Sequence, residues 1–257
     1  MIRRTTRLAR LLSVATGPLI LCGCATRTVV FDTEASRGAI TSRPGRPGSV
    51  IAAPHGTSDV RTGDIAADLA QRTGFGVVIA TGFSIEPDKR ERAGRRYQVN
   101  RPMEGVPGRP PSEEATTDRA QEIYQAYEQR VREVAQGALR LLVEIHGNNH
   151  RDAAGRIEIA TVGVDRELAF YLRTLLVFIR DAHLGAHVEA RYLDVVIEPA
   201  DTLRYAASGA KRVGILRVPE RALHIELPKA ARTEWREVYT AVLADFLLQA
   251  AADDPGR

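Results

Sequence analysis

Leu139-Arg140-Leu141-Leu142-Val143-Glu144-Ile145, running straight into His146-Gly147-Asn148-Asn149-His150, is the stretch that decides the fold. Its apolar residues are nearly continuous rather than alternating. That is the pattern of a strand buried on both faces, and such strands belong to parallel sheets covered by helices on each side. Working back from it, residues 112–138 predict a long helix with Ile123, Tyr127, Val131 and Val134 along one side. The run over residues 76–81 reads as a second buried strand, and Val50-Ile51-Ala52-Ala53 as a third, ending at Pro54-His55-Gly56. Between these two, residues 62–72 have helical spacing (Ile65, Leu69) and a stop at Gly74. Working forward, residues 157–162 predict a strand and residues 165–183 a helix opened by Asp165 as N-cap. Further strands are expected over residues 188–197, 213–216 and 222–227, and a closing amphipathic helix over 233–251. Strands alternating with helices predict an α/β fold over residues 49–252: three layers, a mixed and mostly parallel sheet, helices on both faces. In such folds ligands sit beyond the carboxyl ends of strands, where His55 and His146 fall.

The N-terminus has a separate logic. Arg3, Arg4, Arg7 and Arg10 precede an apolar run over residues 11–22, the charged-then-apolar layout of a secretory signal and too short to span a bilayer. Leu21-Cys22-Gly23-Cys24 resembles the bacterial lipobox, which implies cleavage after residue 23, a lipid on Cys24 and attachment to a membrane. Ala25 after that cysteine points to the periplasmic side of the outer membrane. The chain has 36 Lys+Arg against 32 Asp+Glu, and removing the four leader arginines leaves 32 of each, so no nucleic-acid partner is read from charge. Both cysteines also belong to this region, so the domain carries neither a disulfide nor thiol chemistry. About 230 residues suffice for a buried core without a covalent staple. Residues 24–48, rich in Arg, Gly, Pro, Ser and Thr, are expected to be a flexible tether.

Chemistry centres on the strand-end histidines. His55, with Asp59 four residues on, and His146 make two imidazoles and a carboxylate, a common set for catalytic zinc (Zn2+) with one position open to water. Zinc there would acidify water and polarise a carbonyl, as amide hydrolysis requires. Asp64 is the rival third ligand, although a carboxylate in a helix's first turn also serves the helix dipole. The Pro/Gly-rich basic segment over residues 86–111 is expected to be a long functional loop, with Arg95 or Arg96 binding an anionic substrate or simply solvated. Tyr97 and Tyr192 are weaker candidates as oxyanion donors, His150 reads as an exposed loop histidine ahead of a metal or substrate contact at the pocket rim, and His183 and His187 read as surface residues.

Pro54-His55-Gly56-Thr57, Val99-Asn100-Arg101-Pro102-Met103-Glu104-Gly105, Glu144-Ile145-His146-Gly147 and Ile225-Glu226-Leu227 occur in an order that resembles the N-formylglutamate amidohydrolase family. Zinc poly-γ-glutamate hydrolases and, more distantly, metallocarboxypeptidases share that order. The resemblance covers most of residues 49–250, is thin between the motifs, and implies a zinc-carboxypeptidase or phosphorylase/hydrolase-like fold. It assigns the metal to His55, Asp59 and His146, a substrate carboxylate to Asn100 and Arg101, and the general-base role to Glu226. Arginine's planar fork suits a carboxylate. The sequence departs from the carboxypeptidase-like pattern at Ser58, which stands where that pattern has its glutamate, with Asp59 one residue further. The expected function is zinc-dependent hydrolysis, outside the cytoplasm, of a carboxylate-bearing N-acyl amino acid, peptide or γ-glutamyl-type substrate. Two alternatives stand beside it: Glu226 as a structural carboxylate paired with His224 or Arg232, and a lipoprotein of this fold that binds peptide or cell-wall material without cutting it.

Overall fold

The computed structural model describes residues 25–32, 37–85, 94–185, 187 and 189–252. The expected leader and its Cys24 lie outside them. In chain order the elements are β1 (Arg27–Asp32), β2 (Arg37–Arg43), β3 (Arg46–Ala53), α1 (Thr62–Thr73), β4 (Phe75–Thr81), β5 (Ser84–Ile85), β6 (Arg95–Tyr97), β7 (Glu104–Gly105), α2 (Asp118–Ala135) and β8 (Leu141–Asn148). There follow β9 (Arg156–Val162), α3 (Arg166–Leu184), β10 (Asp194–Ile197), α4 (Ser208–Val213), β11 (Arg221–Pro228), α5 (Lys229–Arg232) and α6 (Arg236–Ala252). The main sheet has eight strands in the order β1-β2-β4-β3-β8-β11-β9-β10. Its centre, β4, β3, β8 and β11, is parallel throughout. β9 turns antiparallel to β11, with β10 parallel to β9, while β2 and β1 add an antiparallel edge on the other side.

Residue parity along the central strands sorts the two faces. Ile51, Ala53, Val143, Ile145, Leu223 and Ile225 point to one core with Leu69 of α1, Leu176 of α3 and Phe246 of α6. Val50, Ala52, Leu142 and Ala222 point to the other, against Ile123, Tyr127 and Val131 of α2. Helices therefore cover both faces, and the sheet is mixed and mostly parallel as expected. Truncating a fully buried ring such as Phe246 to alanine would cost about 3–5 kcal/mol. Two N-caps are local sequence at work: Asp165 accepts from the Leu168 amide, and Thr117 from that of Ala120. No helix among the described residues is long and apolar enough to cross a membrane.

Several expectations need correction. Residues 24–48 are not a plain tether, because β1 and β2 lie within them and pair into the sheet, with Ile40 fully buried. The helix expected over 112–138 starts only at Asp118, where Thr117 caps it. Residues 213–216 form no strand: they end α4 and pass into a 3-10 turn, held by the Ile215 amide on the Asn100 carbonyl at 2.9 Å. Among the described residues of the stretch 188–197 only Asp194–Ile197 are strand, and α6 is buried around most of its circumference rather than on one side. Within the expected loop 86–111, β6 and β7 join β5 in a small three-stranded sheet.

Candidate metal centre

β3 ends at Ala53, and the chain turns sharply through Pro54-His55-Gly56. The Gly56 amide donates to the Ala80 carbonyl of β4 at 2.9 Å, and a Cβ on Gly56 would lie 2.9 Å from that same oxygen. Glycine lets the turn hug the sheet. The Asp59 amide then closes onto the His55 carbonyl at 2.9 Å, which puts both side chains on one side of the turn. His146 comes from β8 and Glu226 from β11, and the parallel register sets them directly side by side. By parity both point to the α2 face, with Glu144 and His224 one step earlier on the same strands.

Asp59 Oδ2 is 3.3 Å from His55 Nδ1 and 3.5 Å from His146 Nδ1. Ligand atoms about 2.1 Å from a tetrahedral zinc would be about 3.4 Å apart, so the donor set fits that ion. The far side of each ring supports the fit. His55 Nε2 faces the Gln98 carbonyl at 3.0 Å, and His146 Nε2 faces Glu144 Oε2 at 3.4 Å. Both partners only accept, so each Nε2 is the donor, and the Nδ1 positions are left to meet a cation beside Asp59. Arg96 stands close by, with Nη2 at 3.2 Å from His55 Nδ1 and 3.7 Å from Asp59 Oδ1.

Electrostatics follow the same geometry. Burial pushes the His55 pKa down, with Arg96 and His146 adding to the shift and Asp59 opposing it. Burial would raise Asp59, but the two imidazoles overcome it and hold the carboxyl well below its usual range. For His146 burial acts downward, yet the hydrogen bonds its ring donates to Asp59 and Glu144 push it up to about 10. Without a metal, a proton on His146 supplies the positive charge these carboxylates call for, and a metal would displace it.

Glu144 is fully buried at the heart of a second ring of contacts. It accepts from Asn100 Nδ2 at 3.2 Å and Tyr127 OH at 3.3 Å, and its Oε2 lies 3.0 Å from His224 Nδ1. Burial would raise its pKa, but the His146 and His224 hydrogen bonds hold it well below the normal value. Glu144, His146 and His224 form a second possible ligand triad, sharing His146 with the first. We favour the first triad because His55, Asp59 and His146 all line a cavity of about 740 Å³, along with Glu226, whereas Glu144 does not reach it. His224 stacks on His146 with ring centroids 4.0 Å apart and places Nε2 at 3.3 Å from Glu226 Oε1.

Asn100 and Arg101 also border the cavity. Between Gln98 and Asn100 the chain makes a tight turn, with Val99 at φ 56° and the Asn100 amide 2.5 Å from the Gln98 carbonyl. A β-branched residue held there stores about 1–3 kcal/mol of strain, a common mark of functional loops. The Arg101 fork is already engaged: Nε and Nη2 donate to both oxygens of Glu114 at 2.9–3.2 Å. Asp64 lies apart, in a surface pair with Arg61 at 3.0 Å. His150 meets Arg204 at the rim, Tyr97 is buried, and Tyr192 is exposed under the Arg180 guanidinium. Glu144 stands in the Glu144-Ile145-His146-Gly147 motif without a role read from it, and Glu158 had no sequence signal beyond being an acid inside an apolar strand. Glu158 is buried, pairs with Arg156, and accepts the Arg204 and Tyr205 amides, which fixes that loop over the cavity.

No protein-family model matches the chain, and no curated protein sequence does. Among solved structures it is similar to a bacteriophage poly-γ-glutamate hydrolase (TM-score 0.47, 13% identity, 87% of this chain and 91% of that one). It is also similar to a gene product of Agrobacterium tumefaciens (TM-score 0.46, 13% identity, 81% and 92%). A metallo-carboxypeptidase from Burkholderia cenocepacia matches with a TM-score of 0.43 and 10% identity over 88% of this chain and 65% of that one. The chemistry below rests on this chain's own side chains.

Proposed function

We propose that the chain is a zinc-dependent amide hydrolase. One observation carries the reading: each Nδ1 lies at zinc-ligand spacing from Asp59 Oδ2, with the three ligand groups within 4.8 Å of one another, while acceptors hold both Nε2 atoms on the far side. Zinc bound by His55, Asp59 and His146 would supply a Lewis acid for the carbonyl and lower the pKa of water towards ~7. Glu226, facing the same cavity, takes the proton of the attacking water and returns it to the leaving amine. Asn100, bonded to Glu144, sets the floor of the site. Arg101 keeps Nη1 without a hydrogen bond among the described residues, and that is the donor we assign to a substrate carboxylate. The substrate class is an N-acyl amino acid, a peptide or a γ-glutamyl-type chain.

Metal analysis of the purified protein tests the metal, with about one zinc per chain expected and its loss in His146→Ala. A protein that binds no zinc and ignores chelators is not this enzyme. Screening acyl-amino acids, peptides and poly-γ-glutamate with the zinc-loaded protein tests the reaction, and Glu226→Gln should abolish turnover. Zinc retained with no hydrolysis of any of them would favour the binding-only alternative, which the occupied Arg101 fork keeps open. We also take the chain to be exported and anchored through Cys24, on the lipobox-like Leu21-Cys22-Gly23-Cys24. Metabolic labelling with palmitate should mark the wild type and not Cys24→Ala.

A further inference from the structure

Three carboxylates share one face of three adjacent strands. Glu144 of β8 faces His224 of β11 across the parallel ladder, and Glu226 of β11 faces Glu158 of β9 across the antiparallel one. Like charges this close on a buried face repel unless each has its own donor. Glu158 has Arg156, and Glu144 has four donor groups. The group standing between Glu144 and Glu226 is His224. Its ring plane is fixed twice, by stacking on His146 at 28° between planes and by the contact of Nδ1 with Glu144 Oε2. With the ring so held, Nε2 can aim only at Glu226 Oε1, 3.3 Å away.

We propose that His224 is a positioning residue: its Nε2–H holds one oxygen of Glu226 and so aims the other at the water to be deprotonated. This rests on the hydrolase reading for its kinetic consequence, but the contact itself does not. Glutamine places an amide donor near the Nε2 position of histidine, and asparagine near the Nδ1 position, so the pair separates the bond to Glu226 from the bond to Glu144. With the zinc-loaded full chain and the substrate it turns over fastest among N-acetyl-glutamate, a γ-glutamyl dipeptide and poly-γ-glutamate, His224→Ala should keep its zinc and its KM. Its kcat should fall roughly a hundredfold, the lower range for general-base catalysis. His224→Gln should recover at least tenfold of that loss, and His224→Asn should recover none. If Asn rescues as well as Gln, or Ala costs nothing in kcat, His224 does not position the base.

A second measurement needs neither metal nor turnover. In zinc-free protein labelled with ¹⁵N-histidine, the His224 Nε2 resonance should move on Glu226→Gln while that of His55 stays. An unmoved His224 signal overturns the contact. If the wild type binds no zinc or cleaves nothing, the hydrolase reading fails and the resonance alone decides the contact.

Discussion

Replacing Arg96 by glutamine should tighten zinc binding. The side chain reaches within 3.2 Å of His55 Nδ1 and 3.7 Å of Asp59 Oδ1, atoms of the two proposed ligand residues on its side of the site. An ion about 2.1 Å from that nitrogen lies no more than about 5 Å from the guanidinium. At that distance a single and a double positive charge repel by about 1.7 kcal/mol at the dielectric of water and about 6.6 kcal/mol at an effective value of 20. Arg96 is 31% exposed and can lean towards solvent, so the smaller figure governs. That is a factor of roughly 18 in affinity. Zinc must also break the hydrogen bond from Nη2 to Nδ1, worth about 0.5–1.5 kcal/mol. The two together give an expected Kd roughly 40- to 200-fold tighter for Arg96→Gln, read by competition with a fluorescent chelator at fixed ionic strength. Arg95→Gln is the control: it lies on the same strand but pairs with Glu104 at 3.6 Å, and it should leave the Kd unchanged. Zinc affinity that is unchanged or weaker in Arg96→Gln would mean that the guanidinium does not oppose the ion, and the assignment of His55 Nδ1 as a ligand would need revision.

Glu144→Gln removes the carboxylate charge behind His146 and should weaken zinc about 10–100-fold, visible in the same competition assay. Asp64→Asn, altering only a surface pair, should not change zinc binding at all. Gly147→Ala would set a Cβ 2.4 Å from Cζ of the buried Arg232, and a loss of about 1–3 kcal/mol in urea unfolding is expected. Zinc at a hundred times its Kd should add about 2.7 kcal/mol of stability. For a domain of this size, calorimetry should then show a rise in Tm of about 5–10 °C.

Much of this arrangement can be read from the chain because strong strands announce themselves. Val50 to Ala53 and Leu141 to Val143 are apolar on both faces, and these runs fix where His55 and His146 fall. What was hidden lacks a local signal. Glu144 and His224 sit inside apolar runs, and nothing in either run says that the two side chains meet across the ladder. Glu114 gave no warning that it would fill the fork of Arg101, since the pair forms across a turn 13 residues long. β1, the edge strand, and β2 beside it were missed because polar residues such as Arg27, Thr28, Thr41, Ser42 and Arg43 give them the composition of a tether. The error over residues 213–216 is steric: Gly214 packs so closely on Asn100 that a Cβ there would lie 2.3 Å from its carbonyl oxygen. The segment serves the Asn100 turn instead of the sheet.

Parity along β8 and β11 explains how a domain can carry so many buried charges and still fold. On the odd-numbered positions Val143, Ile145, Leu223, Ile225 and Leu227 remain apolar and completely buried, so the core shared with α1, α3 and α6 is continuous beneath the site. Only the even positions change character near the strand ends, where Leu142 and Ala222 give way to Glu144, His146, His224 and Glu226. Burying an ion costs several kcal/mol unless hydrogen bonds replace its water. Here the replacement is dense at Glu144 and sparse at Glu226, whose one side-chain hydrogen bond among the described residues comes from His224. That gradient runs from the protein interior to the cavity. A fully bonded carboxylate is rigid and inert, which suits a group that orients metal ligands. A carboxylate held by one oxygen keeps the other free to take a proton, which is the property the proposed hydrolysis needs.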